Sequence, residues 1–128
     1  MAFAFEELKV YQKALDFAVN VIETIDEIDA PRKHFRLFEQ IESSSTSVAS
    51  NISEGKGRFS KKEFKQYLYI ARGSLYETVT RLQIFKKLKW LNEKSYKNIY
   101  AEAEEINKML SGLINSIKFR NNKIRFHF

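Results

Sequence analysis

Residues 47–59 read SVASNISEGKGRF, and the fold turns on what this stretch is. Val48 and Ile52 continue a helical apolar stripe, but Asn51 and Glu54 fall where more core is expected. The pattern then breaks at Gly55-Lys56-Gly57-Arg58. A phosphate-cradling loop, a catalytic cluster and a corner between helices are the three readings. A P-loop needs four residues between its first glycine and a Gly-Lys-Ser/Thr triplet, following a strand; neither the spacing nor the strand is here. The dinucleotide pattern G-x-G-x-x-G fails because position 60 is serine. The glycine pair instead suits a helix end, with Gly55 as the C′ residue and free backbone for a tight reversal. Ser60 then stands three residues before Glu63, a capping box that opens the next helix. The Asn51-Ile52-Ser53 sequon carries no weight without secretion. The stretch reads as a corner.

Outward from that corner, the apolar spacing predicts four helices. Upstream, one stripe runs Leu37, Ile41, Ser44/Ser45, Val48, Ile52, and an earlier one Leu8, Tyr11, Leu15, Ala18, Ile22, Ile25. Their steps of three and four keep each set on one helical face. Pro31 separates them, since proline disfavours helix in the residue before it. Downstream, Phe64, Tyr67/Leu68, Ala71, Leu75, Thr78/Val79, Leu82, Phe85 and Leu88 form the third stripe. After a corner at Trp90-Leu91-Asn92, capped by Asn92 or Ser95, the fourth takes Ile99/Tyr100, Ala103, Ile106, Leu110, Leu113/Ile114 and Ile117. Glycine mid-helix costs about 1 kcal/mol against alanine, so Gly73 predicts close helix approach. The expected fold is all-α, an up-down-up-down four-helix bundle over residues 1–117. Residues 118–128, KFRNNKIRFHF, form a separate basic and aromatic tail. It reads either as a frayed end or a strand-like arm docked on a neighbouring subunit, or as a nucleic-acid arm with cations for phosphates and aromatics for stacking.

The 128 residues contain no cysteine, which excludes disulfides, thiol catalysis and cysteine-based zinc sites. His34 and His127 are the only histidines, too few for a histidine metal site. No basic n-region opens the chain and no run of roughly 18 apolar residues occurs, so a cytoplasmic protein without metal or cofactor is expected. Charge is lopsided. Residues 1–55 hold 5 Lys and Arg against 10 acids, whereas residues 56–90 hold 10 against 2. Such a basic block invites a phosphate-bearing partner, RNA or DNA; its alternative is a solvated lysine face complementing the acidic first half. The phosphate candidates are Lys56, Arg58, Lys61, Lys62, Lys65, Lys86, Lys87 and Lys89.

Catalysis has thin support. Glu54 and Glu77 would make a carboxylate pair if the second and third helices are antiparallel. No nucleophile–base pair accompanies them, and the Glu-x-x-His motifs of di-iron bundles are missing. A polar network of Asn51, Glu54, Arg58, Arg72 and Glu77 tying the two helices together is the expected role of these residues; independent solvated side chains are the alternative.

The stretch Asn51–Thr78, NISEGKGRFSKKEFKQYLYIARGSLYET, resembles the signature of the four-helix-bundle family named for proteins encoded in 23S rRNA intervening sequences. The matching positions are Asn51, Ile52, Glu54, Gly55, Gly57, Arg58, Ser60, Glu63, Phe64, Leu68, Ala71, Gly73, Ser74, Leu75 and Glu77. Residues 5–18, FEELKVYQKALDFA, are similar to the family's first helix, and Gln40 fits the start of its second. The resemblance implies a bundle protomer that assembles with copies of itself into a ring, typically a homopentamer. It also implies likeness to the accessory protein of diversity-generating retroelements, which binds a reverse transcriptase and nucleic acid. One departure stands out: where such proteins carry an Arg-Arg pair before the signature, this chain has Glu42 and Ser43. That change weakens a nucleic-acid role for that face and leaves a protein partner as the other reading.

Overall fold

The computed structural model of the protein describes residues 2–30 and 34–119. A short 3₁₀ turn, Ala4–Glu7, precedes four helices: α1 (Lys9–Asp26), α2 (Phe35–Lys56), α3 (Lys61–Lys87) and α4 (Glu93–Ser116). No strand forms among the described residues. α2 packs on α1 and α3, and α4 on α1 and α3, so each helix has two neighbours around one core. This is a four-helix bundle. The basic and aromatic tail falls outside the described residues beyond Phe119.

Local chemistry sets the ends. The Ser60 hydroxyl accepts from the Glu63 amide at 3.1 Å and donates to its carboxylate at 3.2 Å, which caps α3. Asn92 caps α4 by accepting from the Ser95 amide at 2.8 Å. The C-terminus of α3 closes as a Schellman motif: Trp90 N–H reaches Phe85 C=O and Lys89 N–H reaches Lys86 C=O, both at 2.9 Å. Lys89 holds the left-handed position usual for glycine there, with φ 64°. The Trp90 and Phe85 rings, 5.2 Å apart, supply the apolar contact that goes with the motif. Phe38 joins them and seals this end of the core.

The buried stripes of α2, α3 and α4 follow the sequence expectation, with Ile41, Val48, Ile52, Leu68, Leu75, Leu82, Ile106 and Leu110 all at the centre; Leu88, expected to end the third stripe, is instead the exposed C-cap of α3. α1 differs. Its buried face is Val10, Ala14, Phe17, Ala18, Val21 and Ile25; of the expected stripe Ala18 and Ile25 are buried, while Leu15 lies 43% exposed. Apolar residues populate two adjacent faces of α1, and the expected stripe overlaps the buried face at Ala18 and Ile25, with Leu8 and Tyr11 packed at its edge; the partner helices decide the rest.

Both glycine expectations need correcting. Gly55 lies inside α2 with no left-handed φ, and α2 runs on to Lys56. A Cβ at Gly55 would come 2.5 Å from the Tyr67 Cβ, so it is glycine because α3 presses on it. Gly73, expected to mark close approach, has nothing within 4 Å of where its Cβ would sit.

Candidate nucleic-acid interface

The eight predicted cations divide between the two ends of α3. A helix of 27 residues is roughly 40 Å long. Lys56, Arg58, Lys61, Lys62 and Lys65 gather where α2 turns into α3; Lys86, Lys87 and Lys89 stand at the far end. One protomer therefore does not present the eight as a single surface. The far group is also partly accounted for by structure. Lys86 pairs with Glu93 at 3.2 Å and lies 4.5 Å from the Tyr96 ring centre. Lys86 and Lys87 in the last turn complement the helix dipole. Lys89 serves the helix stop described above.

At the α2–α3 corner the cations are freer. Arg58 bridges to Glu54 at 2.8 Å, lies over the Tyr67 ring at 4.7 Å and donates to the Tyr67 hydroxyl. That hydroxyl donates back to Glu54 at 3.4 Å, closing a triangle. Lys56 lies 5.5 Å from the Phe64 ring and Lys65 lies 5.9 Å from that of Phe119. No carboxylate ion-pairs with Lys56, Lys61, Lys62 or Lys65 among the described residues.

Two residues at this corner were missed from sequence. Tyr67 belongs to the expected core stripe, yet its hydroxyl links Glu54 and Arg58. Phe59 belongs to no stripe, and its side chain is fully exposed at 102%. The signal for Phe59 was present: it is an aromatic residue outside every apolar stripe, set between Arg58 and Ser60-Lys61-Lys62.

The five-residue polar network does not form as one unit. Asn51 donates to Ser47, to its carbonyl and its hydroxyl, both at 2.8 Å; the Ser47 hydroxyl in turn meets Ser74 of α3 at 2.9 Å. Arg72 turns the other way, to Ser111 of α4 at 3.0 Å. Glu77 pairs along its own helix with Arg81 at 3.2 Å. At the middle of the α2–α3 seam small hydroxyls cross, with Thr78 also donating to Ser44 at 2.8 Å; longer side chains cross only towards its ends, Tyr67 to Glu54 and Arg81 to the Gln40 carbonyl. The carboxylate pair fails as well. Glu77 lines a groove with Ser43 and Ser44, about ten residues and so about 15 Å along α2 from Glu54. No group of three or more metal-ligating side chains occurs among the described residues, and no helix there is long and apolar enough to cross a membrane.

Among curated proteins there is no match to the chain. Among solved structures, a protein of unknown function from the S23 ribosomal protein family of Bacteroides thetaiotaomicron is similar, with 30% identity and a TM-score of 0.77. The likeness covers 84% of this chain and 99% of that one, so the whole bundle is shared. The family described as 23S rRNA-intervening sequence protein matches residues 6–112, which take in the α2–α3 corner and nearly all of the four helices, and the chain belongs to that family.

Proposed function

We propose that this is a non-enzymatic cytoplasmic protein, an up-down-up-down bundle assembling into a homopentameric ring that binds RNA or DNA at the α2–α3 corner. The observation that carries the reading is Phe59. A fully exposed aromatic ring flanked by Lys56, Arg58, Lys61 and Lys62 combines a stacking platform with cations for the backbone. The residue pairs support the topology: Ser47–Ser74 and Ser44–Thr78, Tyr76–Asn107 and Arg72–Ser111, and Asn20–Glu102 and Lys13–Glu105 all run in opposite order along their helices. Exposed Tyr69, Ile70 and Ile84 along α3 offer apolar area for self-association. A ring would repeat the corner in every subunit and raise avidity for a long phosphate chain. No cofactor or metal enters this reading.

Titrating a labelled single-stranded RNA against salt tests it. Four uncompensated lysines predict a slope of log affinity on log salt of roughly −3, at about −0.7 per phosphate. Absence of binding at low salt overturns the proposal. The second reading is a scaffold that recruits a protein partner, favoured by Phe35 and Leu88, both exposed at the opposite end of the bundle. Glu42 and Ser43 in place of a basic pair favour it too.

A further inference from the structure

Two apolar surfaces lie outside the core of the bundle. On α1, Leu15, Val19 and Ile22 follow one another at steps of four and three, off the buried face; Leu15 and Val19 are exposed and Ile22 is half-buried. Between α3 and α4 runs a groove of about 250 Å³ lined by Tyr76, Val79, Thr80, Tyr100 and Ala103, with both tyrosines exposed. We infer that the α1 stripe of one copy docks in the α3–α4 groove of the next, an inference that rests on the self-association proposed above and names the two faces that make it. RNA binding plays no part in it.

Placement permits such a contact. α1 packs on α2 and α4 and not on α3, so stripe and groove belong to helices across the core from each other. One copy can therefore offer its stripe to one neighbour and its groove to another. Contacts between unlike faces pass from copy to copy until they close, which is how a ring is built.

Level and direction agree as well. In the up-down-up-down reading α1 and α3 run the same way, and a rotation about an axis along the helices preserves both direction and level. The pairs Lys13–Glu105 and Asn20–Glu102 set Leu15 level with about residue 105 of α4. The pairs Tyr76–Asn107 and Arg72–Ser111 set that residue level with about residue 78 of α3. Leu15 of one copy thus arrives within about one helical turn of its neighbour's Tyr76.

Charge then fixes the register. Asp26 stands eleven residues after Leu15, and Lys87 eleven residues after Tyr76. Eleven residues are about three turns, so each charge closes its own stripe on the same face. Setting Leu15 beside Tyr76 brings Val19 beside Thr80 and Asp26 beside Lys87, an acid against a base. Neither Asp26 nor Lys87 has an ion pair within the protomer among the described residues.

The chain has no cysteine, so introduced pairs report contacts directly. Full-length protein carrying Val19→Cys with Thr80→Cys should give a ladder of covalent multimers on a non-reducing gel after mild oxidation. Val19→Cys alone should run as a single chain; a dimer from it would mean like faces meeting about a two-fold axis and would overturn the inference. Light scattering reads the charges. Asp26→Lys or Lys87→Asp alone should raise the concentration for half-assembly about tenfold or more, since like charges then face each other. The double exchange should bring it back to within about threefold of wild type. A monomeric wild-type protein would overturn the ring and this interface together. A wild-type multimer that neither cross-links through positions 19 and 80 nor responds at 26 and 87 would overturn the interface alone, leaving the ring in place and the groove to another partner.

Discussion

Gly55 and Gly73 both sit inside helices, and only the first has a neighbour that forbids a side chain. A methyl group at Gly55 would collide with the Tyr67 Cβ, part of the helix-borne stem and not a flexible tip. Gly55→Ala should therefore destabilise the fold by about 1–3 kcal/mol, the usual range for overpacking. Gly73→Ala adds a methyl to open space and replaces the second-worst helix former by the best, so it should raise stability by up to about 1 kcal/mol. Chemical denaturation of the two variants checks both signs at once; the reverse order would mean that α3 sits differently on α2. Lys89 makes the complementary case. Its left-handed backbone costs about 1 kcal/mol in a residue with a Cβ. Lys89→Gly should recover part of that and raise the thermal midpoint, in spite of removing a cation. These distinctions were illegible in sequence, because a glycine letter is the same whether it answers a left-handed turn, a close neighbour or neither.

Among the helices, α3 has the clearest start signal and α1 the most ambiguous face. Ser60 caps α3 through Glu63, and α3 touches both α2 and α4. Ser60→Ala should cost about 1 kcal/mol, measured as a lower denaturation midpoint with unchanged slope. α2 meets α3 through small side chains: Ser44, Ser47, Gly55 and Ser74 let the two backbones come close. The hydroxyls satisfy one another there, which is why Ser44, Ser74 and Thr78 are buried without penalty. On the opposite seam, α1 and α4 are joined by longer polar groups, Asn20 to Glu102 at 2.7 Å and Lys13 to Glu105 at 2.9 Å. The Glu105 carboxylate, by hydrogen bond and charge, holds the exposed Lys13 ammonium above its ordinary value of 10.5. The capping pair and three of the four buried faces were legible, since caps and single-face stripes are local properties. The α1 face was legible only in part, at Ala18 and Ile25, because two overlapping stripes leave the rest of the choice to whichever helices arrive.

At the scale of the molecule, charge and shape must be read together. Ten cations in residues 56–90 look like one basic block, but eight of them gather towards the ends of α3, roughly 40 Å apart, while Arg72 and Arg81 between them are partnered by Ser111 and Glu77. If the corner is the phosphate site, Lys61→Ala with Lys62→Ala should lower RNA affinity and flatten the salt slope by about 1.4, at about 0.7 per lost contact. Phe59→Ala should weaken binding roughly 5- to 100-fold with the slope unchanged, as loss of stacking does. Lys87→Ala should do neither. Anisotropy titrations at several salt concentrations separate these outcomes, and an equal loss from Lys87→Ala would place the phosphate contacts at the other end. Four helices, the Ser60 and Asn92 caps, a corner between the second and third helices and the family are all legible in the amino-acid order, because periodicity, capping and motif spacing act within a few neighbouring residues. Only the tertiary structure decided which face of α1 is buried, that Tyr67 holds Glu54 and Arg58 together, that Glu54 and Glu77 stand apart, and that the basic block is two clusters. Each depends on which helix lies opposite and at what level along it, and that register is set by packing across the core.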